Sequence, residues 1–198
     1  MKNLEEVLKN RESFRNFDIK KEISLEELST ILFYSAGLKG KPGEYKDKTQ
    51  EEKNRTRRFY PSGGARYPLE VYLAIKRVSR ITSGIYHYNL LSHSLEQLLD
   101  KNYLNEFNET LGYVWARDAA VVFVITTVWD RNFIKYQDFG YNIILTEMGH
   151  MVQNLLLVSE SLGVKYCPLA GFDNQKMNTL LDINDEDESS LYMTVVGR

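Results

Sequence analysis

The chain has few of the residues that build several familiar kinds of site. Its 198 residues include one cysteine, three histidines and four prolines. The single Cys167 cannot form an internal disulfide, and the scattered histidines give no metal-ligand pattern, so no metal site is expected. Glu147 and His150 form one E-x-x-H pair where a di-iron bundle needs two, and His150 is expected in the core. Without a G-x-S-x-G elbow, acyl-transfer chemistry is not expected either.

Long apolar runs and a dominant charge are also missing. No apolar stretch is long enough to cross a bilayer of roughly 30 Å, and the opening residues MKNLEEVLKNRES contain no segment suited to secretion. The 25 basic and 27 acidic residues are well mixed and give a net charge of −2. This balance disfavours nucleic acid and a membrane surface as partners and favours a small ligand. The expected location is the reducing environment of the cytoplasm.

The hydrophobic pattern predicts one domain over residues 1–198. Ser24 and Glu27 have the spacing of a capping box and predict the start of a helix. The β-branched run 119–127 predicts a strand covered on both faces, at the centre of a sheet. Apolar side chains around much of the cylinder over 137–162 predict a long buried central helix. The predicted fold class is α+β, with an antiparallel-rich central sheet flanked by helices.

The remaining segments complete this prediction. Further strands are expected at 69–76, 84–88, near 164 and at 191–196, and further helices are expected up to residue 10 and over 103–111 and 174–181. Residues 39–58 are polar and without periodicity, which is long for a connection in a compact domain. We expect this loop to form a lid over the site, with Arg57 and Arg58 near the ligand.

Arg11, Ser13 and Arg15 form the first candidate constellation. Alternate residues of an extended segment share a face, so two guanidinium groups and a hydroxyl converge on one point. Arginine forks match a phosphate in geometry and charge. Surface ion pairs are the alternative interpretation. Arg198, the final residue, joins this cluster if the last strand lies beside the first segment.

Two turns contain backbone amides that can approach a ligand closely. The segment PSGGARYP has adjacent glycines and a serine hydroxyl, although it also suits an ordinary turn into a strand. The segment PLAGFD exposes amides at the end of a predicted strand and can donate hydrogen bonds to a carbonyl or ring nitrogen. The turn residues concerned are Pro61, Ser62, Gly63 and Gly64 in the first segment, and Ala170 and Gly171 in the second.

Lys135 and Tyr136 precede the long predicted helix. Lysine and tyrosine act as general acids or bases when burial and neighbouring charge lower their pKa values. Exposed Lys-Tyr pairs without a catalytic role are common, so the pair alone leaves both interpretations open.

Taken in chain order, these segments resemble the nitroreductase-like FMN flavoproteins, from RESFR to the closing VVGR. The resemblance implies a nitroreductase-like fold in which Arg11, Ser13, Arg15 and Arg198 hold the FMN phosphate. It also implies that residues 61–64 reach the flavin of a partner subunit and that the amides of Ala170 and Gly171 lie beside the reactive edge of the isoalloxazine ring. A homodimer with two composite sites follows from that arrangement.

The segments PSGGARYPLEVYL, SGIYHYN and TEMGHMVQNLLLVSESLGV, with the Lys-Tyr pair, are similar to the SagB-type branch of that family. This branch includes dehydrogenases that oxidise azolines to azoles in peptide natural products. The resemblance implies that Lys135 and Tyr136 handle the substrate proton while hydride moves to or from flavin N5. The expected substrate is a small molecule or a modified peptide. The alternatives are an NAD(P)H-dependent nitro or quinone reductase and a scaffold subunit without catalysis.

Overall fold

The computed structural model describes residues 2–40 and 57–198, and six strands of this part of the chain form one sheet. The strands are β1 Leu69–Ile75, β2 Gly84–Asn89, β3 Ser94–Asp100, β4 Val121–Val128, β5 Lys165–Leu169 and β6 Glu188–Gly197. The α-helices are α1 Leu4–Asn10, α2 Leu25–Ala36, α3 Leu104–Thr110, α4 Asp130–Tyr136, α5 Gly140–Leu162 and α6 Asn174–Leu180. Short 3₁₀ turns include Gly63–Ala65 and Gln137–Phe139.

The strands run in the order β3-β2-β1-β4-β6-β5, and every neighbouring pair is antiparallel. The run VVFVITTV forms β4, and its first seven residues are buried, as expected for β-branched side chains covered on both faces. The strand begins at Val121 rather than 119, and the Ala120 carbonyl just before it accepts the amides of Lys76 and Arg77. The α+β prediction with a central antiparallel sheet is confirmed.

Each face of the sheet covers a hydrophobic core. Helices α2 and α5 pack on one face, around residues such as Leu28, Leu73 and Met151. Helices α3 and α6 cover the other face, around Phe107 and Met177. Burying apolar surface on both sides of one sheet is the main source of stability in such a layered fold.

Helix α5 confirms the predicted long central helix. Its buried stripe includes Ile144, Met148 and Leu155, and the helix ends at Gly163, whose φ of +68° is accessible to glycine without strain. The opposite side of α5 is exposed, including Tyr141, 46% exposed, and Leu145, 42% exposed. The apolar pattern around the cylinder therefore includes large side chains that lie on the surface of this single chain.

Several elements differ from the sequence prediction. Strand β3 and helix α4 were not predicted, and β6 begins at Glu188, three residues earlier than expected. The prediction that His150 packs in the core is wrong, because its side chain is exposed on α5. Most of the predicted lid, residues 41–56, lies outside the described residues. In the described part of the chain, no helix is both long and apolar enough to cross a membrane.

Candidate functional site

The first segment of the chain runs along the outer edge of β5. The Phe14 amide donates to the Tyr166 carbonyl over 2.9 Å, and the Phe14 ring meets the Tyr166 ring edge-on. Its neighbours Ser13 and Arg15 lie on the other side of this segment, towards Cys167. Burial raises the pKa of the Cys167 thiol, and the charge of Arg15 and a hydrogen bond from Ser13 oppose that rise. The extended backbone therefore separates Phe14 from Ser13 and Arg15, as alternation predicts.

Arg198 lies at the same end of the sheet. Its carbonyl accepts the Asp18 amide over 2.7 Å, so the last strand does lie beside the first segment. Its guanidinium contacts Glu27 Oε1 at 2.5 Å and the Gly163 carbonyl at 3.2 Å. Among the described residues, Arg11 and Arg15 form no ion pair, whereas Arg198 pairs with Glu27.

The Pro-Ser turn is fixed by hydrogen bonds to its serine. Ser62 Oγ donates to Glu147 Oε2 over 2.6 Å and accepts the Tyr67 amide over 2.8 Å. Gly64 follows in a left-handed conformation with φ +60°, which needs glycine. Ala65 and Tyr67 also have positive φ values, of 52° and 49°, so three of the four residues from Gly64 to Tyr67 are in the left-handed region.

Lys135 and Tyr136 contact this turn. A methyl group placed on Gly64 would lie 2.6 Å from Tyr136 Oη and 2.9 Å from Lys135 Nζ. The Lys135 ammonium also lies 5.2 Å from the centre of the Tyr136 ring. The structure therefore brings the two predicted catalytic residues together with the predicted flavin-contacting turn, within a single chain. Because Gly64 has no side chain, the ends of Lys135 and Tyr136 can lie against the backbone of the turn.

Helix α4, which ends in Lys135 and Tyr136, is anchored to the sheet through Arg131. The Arg131 guanidinium pairs with Glu70 on β1 and donates to the Tyr67 carbonyl, while Arg66 Nε donates to the Arg131 carbonyl. His87 Nε2 lies 3.2 Å from the other oxygen of Glu70. Burial disfavours the Glu70 carboxylate, but the His87 hydrogen bond and the Arg131 charge hold its pKa below the usual value. The ion pair between Arg131 and Glu70 thus holds α4 against the sheet, although this helix has only seven residues.

Glu147 is the functional candidate that the sequence did not reveal. It is 2% exposed, and burial raises its pKa to about 7 against the opposing hydrogen bond from Ser62 and the charge of Arg58. Its Oε1 atom is buried and has no partner among the described residues. Glu147 lines a pocket of about 330 Å³ together with the turn residues and side chains of the α5 region: Pro61, Ser62, Gly63, Phe139, Asn142, Ile143, Thr146 and His150.

The Ala170–Gly171 turn follows β5. The Gly171 carbonyl accepts the Gly112 amide over 3.0 Å, and a methyl group on Gly171 would lie 2.7 Å from the Tyr113 ring. Ala170 is exposed. The turn therefore presents its backbone at the surface beside an aromatic side chain, Tyr113, which is 45% exposed.

The predicted site residues form two groups in this single chain. One group surrounds β5 and contains Arg11, Ser13, Arg15, Ala170, Gly171 and Arg198; the other surrounds the start of β1 and contains Pro61, Ser62, Gly63, Gly64, Lys135 and Tyr136. Strands β1 and β5 are three positions apart in the sheet, which corresponds to about 14 Å across the strands. The surface near the second group includes four exposed apolar side chains: Ile134, Phe139, Tyr141 and Leu145.

The six-stranded antiparallel sheet, with a long helix across one face, defines an α+β protein with the nitroreductase-like fold. A solved nitroreductase from Desulfovibrio desulfuricans in complex with FMN has a TM-score of 0.63 over all of this chain and 87% of that one; at 16% identity it shows the fold alone. The model of the nitroreductase family matches residues 8–198. The chain therefore belongs to the nitroreductase family, a family of oxidoreductases.

Two relatives are 31% identical to the chain. One, named a nitroreductase, is from Methanocaldococcus jannaschii and aligns over 196 residues, 98% of this chain and 90% of the relative. The other is the microcin B17-processing protein McbC of Escherichia coli, which aligns over 151 residues, 71% of this chain and 54% of McbC. The solved E. coli microcin synthetase McbBCD complex with truncated pro-MccB17 contains a chain similar to this one, with a TM-score of 0.77 and 25% identity over 100% of this chain and 74% of that one. The similarity to McbC and to the McbBCD complex supports the SagB-type branch.

Proposed function

We propose that the chain is an FMN-dependent oxidoreductase of SagB type. The observation that supports this most is the contact of Lys135 and Tyr136 with Gly64, because it joins a proton-handling pair to the turn expected at the flavin. The donor set also fits FMN. Arg11 and Arg15 are cations without an ion-pair partner in the described part of the chain, and Ser13 stands between them in the sequence. Such a set suits a phosphate.

FMN would supply the acceptor or donor for hydride, and the protein would supply binding, orientation and proton transfer. In this proposal Arg11, Ser13, Arg15 and Arg198 hold the phosphate, and the amides of Ala170 and Gly171 face the ring. Lys135 Nζ or Tyr136 Oη takes or gives the proton at the substrate. Both atoms lie on the end of a helix that Arg131 anchors, so their positions are defined before a substrate binds.

The proposal includes a homodimer in which each site combines the two groups of residues. About 14 Å of sheet separates the groups across the strands of one chain, and a second chain can bring its own Pro-Ser turn to the β5 group. The exposed apolar side chains of Ile134, Phe139, Tyr141 and Leu145 support an interface beside that turn. Two faces of the same kind make a two-fold contact, the commonest form of homodimer.

A second candidate is an NAD(P)H-dependent nitro or quinone reductase. The M. jannaschii relative favours it, because that protein is named a nitroreductase and aligns with nearly the whole chain. In this case NAD(P)H is the electron donor and Lys135 and Tyr136 need no role in proton abstraction. McbC favours the first candidate, with a modified peptide as the substrate, although this chain covers only 54% of that protein.

The first test is the visible absorption spectrum of the purified protein, with any released chromophore identified, followed by anaerobic addition of NADH or NADPH. Bound FMN supports the proposal, and rapid bleaching by NAD(P)H favours the reductase. Protein that stays colourless after reconstitution with FMN contradicts the proposal and favours a scaffold subunit.

The second test separates the two candidates by mutation. Lys135→Ala and Tyr136→Phe are expected to lower dehydrogenase turnover by about 10²-fold or more, the usual contribution of general acid-base catalysis, while FMN binding stays intact. Lys101→Ala is the matched control, since Lys101 is an exposed lysine on a turn away from the site. Equal turnover in all three variants would contradict the catalytic role of the pair.

A further inference from the structure

Glu147 is a buried acid whose contacts connect it to the ligand-facing turn. It approaches Ser62 from helix α5, 85 residues further along the chain, and its Oε2 accepts the Ser62 hydroxyl over 2.6 Å. Ser62 Oγ in turn accepts the Tyr67 amide, at the other end of the turn. One carboxylate therefore fixes the backbone on both sides of Gly63 and Gly64.

The groups around Glu147 allow both its ionised and its neutral form. Arg58 provides the nearest fixed positive charge, and its own guanidinium donates to Tyr60 Oη and the Leu69 carbonyl instead of pairing with Glu147. Tyr60 is buried and faces the same space. His150 lines the pocket from α5, and Lys135 and Tyr136 face the turn from α4.

We propose that Glu147 is the positioning residue of the Pro-Ser turn: by holding Ser62 it sets the backbone of Gly63 and Gly64 against Lys135 and Tyr136, and it thereby controls flavin binding by the turn. This inference rests on the proposed function. Without the Glu147 contact, the Ser62 hydroxyl loses its acceptor, and the Tyr67 amide is left bonded to a serine that helix α5 no longer holds. The turn then keeps the Arg131 contacts at Arg66 and Tyr67 but loses its long-range contact at Ser62, and three of its residues are in sparsely populated conformations.

The protonation state of Glu147 gives the proposal a specific signature. An ionised carboxylate accepts the Ser62 hydroxyl and the Gly63 amide more strongly than a neutral acid does. Burial raises the pKa of Glu147 to about 7, and the Ser62 hydrogen bond opposes that rise because it favours the ionised form. Although ionisation of the buried acid lowers the stability of the whole fold, within the folded chain the turn should therefore become better ordered as pH rises through that value. FMN affinity should rise with it, and Glu147→Gln should abolish this part of the pH dependence.

The test is a double-mutant cycle read out by the dissociation constant of FMN, measured from quenching of flavin fluorescence at pH 6 and pH 8. The variants are Glu147→Ala, Ser62→Ala and the double variant, with Glu147→Gln as the conservative replacement. Thr146→Ala is the matched control, because Thr146 lines the same pocket but its hydroxyl donates to the Asn142 carbonyl of its own helix. Circular dichroism and thermal unfolding check that each variant is folded.

At pH 8 the expected loss of FMN affinity is about tenfold for Glu147→Ala and for Ser62→Ala, with no further loss in the double variant, because both remove one charge-assisted hydrogen bond. Glu147→Gln keeps an acceptor and should lose less. The FMN phosphate itself titrates near pH 6, so only the difference between the wild type and Glu147→Gln reports on Glu147.

The outcomes separate this inference from the proposed function. If the wild type binds FMN and the single variants lose affinity independently, so that the double variant shows the product of both effects, Glu147 does not act through Ser62. Wild-type affinity in Glu147→Ala also overturns the inference, as does an unchanged pH dependence in Glu147→Gln. A wild type that binds no FMN at either pH overturns the proposed function itself.

Discussion

At the scale of single residues, Glu147 makes the stability of the fold depend on pH. Its folded pKa of about 7 lies above the usual value of 4.5, so the folded state retains a proton that the unfolded chain has lost. The contribution of Glu147 to the free energy of unfolding is therefore fully present below the usual pKa and falls as pH rises towards 7. We expect Glu147→Gln to be more stable than the wild type at pH 8, by about 3 kcal/mol at about 1.4 kcal/mol per pKa unit, and similar to it at pH 4. Thermal unfolding at the two pH values measures this, and an equal difference at both would contradict it.

Gly64 is the second residue whose replacement has a defined consequence. Gly64→Ala places a methyl group in a left-handed conformation, which costs about 1–2 kcal/mol, and directs it at Tyr136 Oη and Lys135 Nζ. Both atoms end flexible side chains, so they should move aside rather than prevent folding. We expect a modest fall in unfolding temperature together with a larger fall in turnover. A variant that loses stability but keeps wild-type turnover would show that the contact with the pair has no catalytic importance.

At the scale of elements, the position of α4 depends on the pair between Arg131 and Glu70. His87 stabilises that carboxylate, and hydrogen bonds to Glu70 and Glu96 raise the His87 pKa above its usual value. Its contribution to stability is complete below pH 6.5 and is lost as pH rises through the raised pKa. We expect Glu70→Gln to lower stability by about 1–2 kcal/mol at pH 6, with a smaller loss at pH 9, and to lower turnover through Lys135 and Tyr136. Glu96→Gln is the control, since Glu96 contacts the same histidine but not Arg131.

The elements differ in how far the sequence predicts them, for physical reasons. Helix α2 has a capping box at Ser24 and Glu27, and α5 has a long apolar stripe, so local signals define both. Strand β3 is an edge strand whose side chains are mostly exposed, and it lacks the apolar alternation that marks a strand. Helix α4 has seven residues and no side-chain cap, so it depends on the tertiary contact with Glu70 that no local pattern contains.

The residues of the candidate site also differ in how far the sequence predicts them. Ser62, Lys135 and Tyr136 stand in recognisable segments, so the sequence singled them out, and the structure brings the pair against Gly64. In the sequence, Glu147 pairs by spacing only with His150, as one incomplete metal-binding pair. Its actual partner, Ser62, is 85 residues away, and the burial that changes its pKa exists only in the folded chain. Long-range pairing and burial are the two properties that local patterns do not encode.

At the scale of the whole molecule, the sheet explains why one chain is expected to hold half of each site. In the proposed site, the β5 group contributes the cations for a phosphate, and the β1 group contributes the turn and the Lys-Tyr pair. Two intervening strands, β4 and β6, hold the groups apart as a rigid unit of the core. Motion within one chain would have to break that sheet to join them, whereas a second chain needs only a surface contact.

The dimer proposal can be tested through Leu145, which is 42% exposed on α5 and so is not needed for the core of one chain. Leu145→Glu places a charge in the proposed apolar interface, where an unpaired buried charge is strongly unfavourable. We expect the variant to elute as a monomer in size-exclusion chromatography with light scattering, to keep its circular dichroism spectrum, and to bind FMN at least tenfold more weakly. Leu91→Glu is the matched control, because Leu91 is 76% exposed in the turn between β2 and β3. If Leu145→Glu stays dimeric, the interface lies elsewhere; if it is monomeric and still binds FMN as tightly as the wild type, one chain alone forms the complete site.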